Sequence, residues 1–189
     1  MKELEKRILK DGKVINNEIL KVDSFLNHQI DVKLIDQFAQ AVKEAYDGYK
    51  VDKILTIEAS GIAIAYAVAE AFGNIPLLFA KKSKSKTVDD NVYMTRIKSF
   101  TRDIDCEVTI SKSFLKKNEK VLIVDDFLAE GNAAIGLIEL CRQAKAIPVG
   151  YATVIEKVFQ GGRQRIENER IKVFAGASIK SFEDNKPVF

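Results

Sequence analysis

Residues 121–133, V-L-I-V-D-D-F-L-A-E-G-N-A, hold the densest chemistry in the 189-residue chain. Four apolar residues suited to a buried strand run into two acids, Asp125 and Asp126. Small residues follow at Ala129, Gly131 and Ala133, and a helix is predicted over about 132–144. Small side chains let a backbone approach a ligand closely, and main-chain amides at a helix N-terminus make a cradle for phosphate. Two carboxylates beside such a cradle would repel a bare phosphate. They make sense facing sugar hydroxyls or a magnesium shell while the amides face the phosphate.

Acids at strand ends also occur in ordinary solvated turns, so the pair alone decides little. Two other arrangements place acids after a buried strand, and neither fits. No G-x-x-x-x-G-K-[ST] occurs in the chain. A receiver domain needs a further acidic site early in a chain that opens on a strand, whereas this one opens on helices. With one histidine and two distant cysteines, Cys106 and Cys141, no Cys/His metal site can be assembled, and both thiols are expected buried and reduced. The net charge of +3 is small and well mixed, which argues against a nucleic-acid binder. No apolar run approaches the roughly 20 residues of a membrane span, and the opening M-K-E-L-E-K-R-I-L-K lacks an export signal. The cytoplasm is the expected location.

The elements that must position these residues are readable from periodicity. Residues 2–11 form an amphipathic helix with Leu4 and Ile8 inward, ended by Gly12. After an irregular stretch, Asp31 caps a helix over about 32–46, whose stripe is Leu34, Ile35, Phe38, Ala41, Val42 and Ala45. Strands are predicted at 53–57, 75–80, 121–124, about 147–155 and about 171–177, with an alanine-rich helix after Gly61. Residues 92–100 and 104–111 alternate, which suggests an antiparallel pair acting as a flap. Strands alternating with helices imply an α/β domain with a doubly wound, mostly parallel sheet. Ligands then bind beyond the carboxyl ends of the strands, after residues 57, 80, 124 and 155. The glycine break G-G-R-Q-R and the end S-F-E-D-N-K-P-V-F, read as a loose tail, carry the least signal.

The composite at 121–133 resembles the signature with which type I phosphoribosyltransferases bind phosphoribosyl pyrophosphate (PRPP). V-D-S-F-L-N-H-Q (22–29), T-I-E-A-S-G-I-A (56–63), F-A-K-K-S-K-S (79–85) and V-I-E-K-V-F (154–159) are similar to successive segments of the purine branch, in particular the bacterial enzymes that use xanthine. The likeness runs from about residue 12 to 160. One departure is that many relatives carry hydroxyls around the phosphate loop, where this chain has Ala129, Glu130 and Ala133. The alanine-rich form resembles the xanthine branch and puts the weight on main-chain amides. Glu130 is expected to point into solvent.

The resemblance implies a single domain over 1–189, with residues 1–30 contributing a small helical hood over the base and 82–100 a flexible lid. It implies that Ala129, Glu130, Gly131, Asn132 and Ala133 hold the 5′-phosphate of PRPP, and that Asp125 and Asp126 contact the ribose and favour its developing positive charge. Ser60, Gly61, Lys81 and Lys82 are expected near the pyrophosphate, with magnesium carried in on the substrate. The run 81–86 reads as a solvated loop, compatible with a basic lid in which Ser99 and Thr101 are minor candidates. Lys157 is implied as donor to the 6-oxo group of the purine, and Leu20 and Asn27 as the xanthine-reading part of the hood. Phe159 reads more readily as a core aromatic than as a stacking partner, and His28 as structural. The implied reaction is transfer of phosphoribosyl from PRPP to xanthine, giving xanthosine 5′-monophosphate and pyrophosphate. Hypoxanthine or guanine as acceptor, or a regulator that senses PRPP without turnover, are the alternatives. A DNA-binding regulator would need a recognition helix, and none appears among the first 30 or so residues. A homodimer is also implied, and neither nucleic acid nor membrane is expected as a partner.

Overall fold

The structure is a computed structural model, which describes residues 1–83, 91–98 and 105–189. Helix α1 (Lys2–Asp11) leads into a small antiparallel hairpin, β1 (Lys13–Ile15) and β2 (Ile19–Lys21), then a π-helical turn at Asp23–Asn27 and helix α2 (Val32–Ala45). The rest alternates: β3 (Lys53–Ile57), α3 (Gly61–Ala71), β4 (Leu77–Ser83), β5 (Val92–Lys98), β6 (Asp105–Ser111), β7 (Lys120–Leu128), α4 (Asn132–Gln143) and β8 (Ile147–Lys157). A short 3₁₀ turn at Val158–Gln160, α5 (Gly162–Asn168), β9 (Val173–Ile179) and a second hairpin, β10 (Ser181–Glu183) and β11 (Lys186–Val188), complete the chain.

Among the described residues the central sheet has the order β5-β6-β4-β3-β7-β8-β9. β4, β3, β7, β8 and β9 run parallel, as expected from the alternation of strand and helix. Side chains on a strand alternate between faces, and β7 shows why both faces are covered. Leu122 and Val124 enter a core built with α1, α2 and α3, while Val121 and Ile123 enter a second core under α4 and α5. Both sets are fully buried.

Several expectations are corrected. The antiparallel pair is no separate flap: β6 pairs with β4, so it extends the central sheet. Residues 84–90, 99 and 100 of the expected lid, and Thr101, lie outside the described residues. The hood is only partly helical, since β1, β2 and the π-turn fill the stretch read as irregular. Gly12 follows α1 in an extended conformation (φ −74°), not a left-handed one, and its bare Cα gives room to the Ile8 carbonyl. The tail is a formed hairpin docked on the N-terminal half. Cys141 is buried, which pushes its thiol up to about 12, but Cys106 is only half-buried. Asp31 does cap α2, its side chain accepting from the Leu34 amide at 3.1 Å.

Candidate active site

The two acids lie within β7, not beyond it: the strand runs on through Phe127 to Leu128, held by its pairing with β8. Asp125 faces the turn before α3. A Cβ on Gly61 would stand 3.2 Å from Asp125 Oδ1 and 2.2 Å from Thr56 Oγ1, so only glycine fits that close approach. Asp126 is turned to the hood, where Asn27 Nδ2 donates to its Oδ2 at 3.2 Å. The acids therefore look in two directions, as neighbours on a strand do. Burial, then the charge of Asp126, pushes the Asp125 carboxyl well above the usual carboxylate range.

Residues 129–133 turn from the end of β7 into α4. Gly131 sits at φ +80°, the left-handed region, and caps the helix. The first turn of α4 aims amides without intrahelical acceptors at the strand ends. Glu130 is exposed, as expected, and its carboxylate accepts from Asn132 Nδ2 at 3.0 Å. Three residues that sequence reasoning passed over brace this loop or the strand beside it. The Gly162 amide donates to the Ala129 carbonyl at 3.0 Å. Arg165 Nη1 donates to the Glu130 carbonyl at 2.6 Å and to Asn132 Oδ1 at 2.7 Å. Arg163 pairs with Glu156, a carboxylate with 1% exposure that also accepts from Ser178 Oγ at 2.9 Å.

The parallel pairing Ile57↔Ala80 brings the Glu58–Ile62 turn beside Lys81 and Lys82. Glu58 Oε1 accepts from the Lys82 amide at 2.6 Å, and the charge of Lys82 acts on Asp125. Ser60 caps α3 without a side-chain hydrogen bond and is exposed, as are Lys81 and Lys82, while Gly61 is buried.

Lys157 ends β8 with 6% exposure, and its Nζ donates to the Glu18 carbonyl in the β1–β2 turn at 2.9 Å. Burial lowers its pKa, opposed by the Glu18 carboxylate. Leu20 lies two residues on, but its side chain is drawn into the first core. What Leu20 can offer a ligand is therefore chiefly main chain. Asn27 is exposed at the end of the π-turn. His28 beside it is exposed, its amide donating to the Asp23 carbonyl at 3.2 Å. Phe159 is no core aromatic: it is 48% exposed and meets Phe182 edge-on, with centroids 5.5 Å apart.

The candidate residues thus stand along the carboxyl ends of β4, β3, β7 and β8, with the 129–133 loop and Lys157 on the adjacent ends of β7 and β8. Comparison with known proteins gives the family and the fold. Residues 21–186 match the phosphoribosyl transferase domain family. Over its full 189 residues the chain is 48% identical to a xanthine phosphoribosyltransferase from Laribacter hongkongensis and 49% identical to one from Clostridioides difficile, covering all of each. Among solved structures, adenine phosphoribosyltransferase from Rhodothermus marinus superposes with a TM-score of 0.75 at 18% identity, over 95% of this chain and all of that one. The Saccharomyces cerevisiae adenine enzyme, complexed with adenine and an imino-altritol bisphosphate, gives 0.73 at 24% identity, over 93% and 99%. At these identities the structures establish the shared fold.

Proposed function

The chain belongs to the phosphoribosyl transferase family, and on that premise we propose that it transfers the 5-phosphoribosyl group of PRPP to xanthine in purine salvage, giving xanthosine 5′-monophosphate and pyrophosphate. One observation carries the reading. β7 and β8 are parallel neighbours with Leu128 paired to Glu156, so the phosphate loop and Lys157 leave adjacent strand ends side by side. A nucleotide gripped by that loop at its 5′-phosphate meets Lys157 with its base. The ammonium donates to the 6-oxo group of an oxopurine, which a 6-amino group cannot accept. That favours xanthine, guanine or hypoxanthine over adenine.

In this reading the amides of residues 129–133 hold the 5′-phosphate, and the ribose lies over the end of β7 within reach of Asp125 and Asp126. Pyrophosphate leaves with the electrons of the C1′–O bond, toward Lys81, Lys82 and the Ser60–Gly61 turn. Positive charge grows on the ribose ring as it goes, and the two carboxylates stabilise it. A purine nitrogen then forms the new bond to C1′, and its proton leaves with pyrophosphate or solvent. Magnesium enters on the pyrophosphate oxygens as part of the substrate. The side chains mainly position, exclude water and supply charge. Asn27 can donate and accept, which suits the 2-oxo group and adjacent nitrogen of xanthine. No helix among the described residues is long and apolar enough to cross a membrane. Residence in the cytoplasm and assembly as a homodimer complete the proposal.

The test is a base series with PRPP and magnesium, separating nucleotide products by chromatography, on the native protein and Asn27→Ala. Xanthosine monophosphate should be the main product, and the variant should lose xanthine use selectively, by about tenfold. PRPP binding without turnover of any base overturns the enzyme reading in favour of a sensor. An unchanged base preference removes Asn27 from it.

A further inference from the structure

The C-terminal hairpin β10–β11 reaches the base end of the site by two routes. At its tip, Asp184 and Asn185 both have positive φ (49° and 56°), the turn geometry that two-residue hairpins favour. The β1–β2 turn of the hood carries Asn16 and Asn17 in the same region (54° and 51°). The two tips interlock: the Asn17 amide donates to Asn185 Oδ1 at 3.1 Å, and the Asn185 amide donates to Asn17 Oδ1 at 2.7 Å. The next residue of the hood turn, Glu18, gives its carbonyl to Lys157 Nζ. By the second route, Phe182 of β10 has Lys157 Nζ 5.7 Å from its ring centroid and meets Phe159 edge-on.

An isolated pair of three-residue strands is marginal in water, so this hairpin is ordered by what it docks against. Its root is tied, the Lys180 amide donating to the Val188 carbonyl at 2.7 Å, while Phe182 and Phe189 pack on the first core. The hairpin thus holds both the turn that engages Lys157 and one face of the lysine itself. The phosphate loop has its own braces in Gly162 and Arg165.

We propose that the hairpin at residues 181–188 is a clasp that positions the base-reading end, with Asn185 and Phe182 as positioning residues that set affinity for the purine and leave affinity for PRPP alone. This rests on the reading of Lys157 as a base contact. A reciprocal pair of main-chain to side-chain hydrogen bonds fixes both the distance and the orientation of two turns, which a single contact would not. Neither residue has to touch substrate.

Asn185→Gly and Asn185→Asp discriminate well, because both tolerate positive φ while only the second keeps an acceptor for the Asn17 amide. Asn185→Gly should raise the KM for xanthine by about three- to tenfold, with the KM for PRPP within about twofold of native. Asn185→Asp should restore the native value. Phe182→Leu should shift in the same direction and provides a second probe if the glycine variant is unstable. Equal rises in both KM values, or no change for Asn185→Gly and Phe182→Leu while Lys157→Ala raises the KM for xanthine, overturn the clasp and leave the base reading standing. An unchanged KM for xanthine in Lys157→Ala overturns the base reading and the clasp with it.

Discussion

The two ends of the site are built in contrasting ways. The proposed phosphate end is one continuous stretch, residues 129–133, braced from behind by Gly162 and Arg165. The proposed base end is assembled from three distant segments: the hood turn at 16–18, Lys157 at the end of β8, and the hairpin at 181–188. Asp126 joins them, since it stands in the strand that feeds the 129–133 loop and accepts from Asn27 of the hood. A ligand part common to every reaction of this kind can be gripped by backbone, whose geometry survives substitution of side chains. The part that differs between purines has to be read by side chains, and these can be recruited from wherever the fold brings them.

If that division is real, the phosphate end should break on a backbone insult that leaves the base end alone. Gly162→Ala is the strongest such insult. A Cβ there would stand 2.3 Å from the Ala129 carbonyl, 2.9 Å from the Gly131 amide and 2.8 Å from Leu128 Cδ1. Two of these are main chain and can yield only by moving the loop. Overpacking of this kind costs roughly 1–3 kcal/mol. Delivered to the phosphate cradle, it should lower kcat/KM for PRPP by up to about a hundredfold. Steady-state kinetics checks it, and near-native PRPP kinetics would show that the brace is dispensable.

Asp125 sharpens the comparison from the middle of the site, because its function and its effect on stability oppose one another. Its folded-state pKa is raised by burial first and by Asp126 second. Between the unfolded value near 3.8 and that raised value, the native state therefore binds more protons than the unfolded state. Native stability must fall as pH climbs through this window. Asp125→Asn removes the buried ionisable group and can still accept from the Asp126 amide, which the native side chain does at 3.0 Å. The variant should melt higher than the native protein at neutral pH, show a flatter dependence of Tm on pH, and turn over roughly a hundredfold more slowly. Thermal melts across pH, set beside initial rates, separate the two effects. A lower Tm at neutral pH would mean that the carboxylate is compensated in a way the free structure does not display.

The same division explains what is legible in the sequence. The parallel core, the cap at Asp31 and the small-residue turn from β7 into α4 all follow from local periodicity and residue type, so each was legible. The strands were read too short: β7 continues to Leu128 and β8 to Lys157, because Asp125, Asp126, Glu156 and Lys157 look like the end of a strand until partners are known. Arg163 and Arg165 looked like surface charge because their partners lie in other elements. The two hairpins have strands of three residues, too few to show alternation. Their turns were the available signal. N-N between V-I and E-I, and D-N between S-F-E and K-P-V, are the residue pairs that accept positive φ in a tight turn.

Arg165 tests the division at its most delicate point, since the guanidinium is exposed and acts only on the outside of the loop. Its Nη1 spans the Glu130 carbonyl and Asn132 Oδ1, fixing the start of α4 relative to α5. Hydrogen bonds to a charged but exposed donor are worth little each, so Arg165→Ala should raise the KM for PRPP by only about three- to fivefold. The removed charge should also weaken the dependence of that KM on ionic strength, because one cation near the incoming phosphates is gone. The KM for xanthine should not move. A matching rise for xanthine would mean that strain in the loop travels along β7 to Asp126 and Asn27, making one coupled site of two separately built ends.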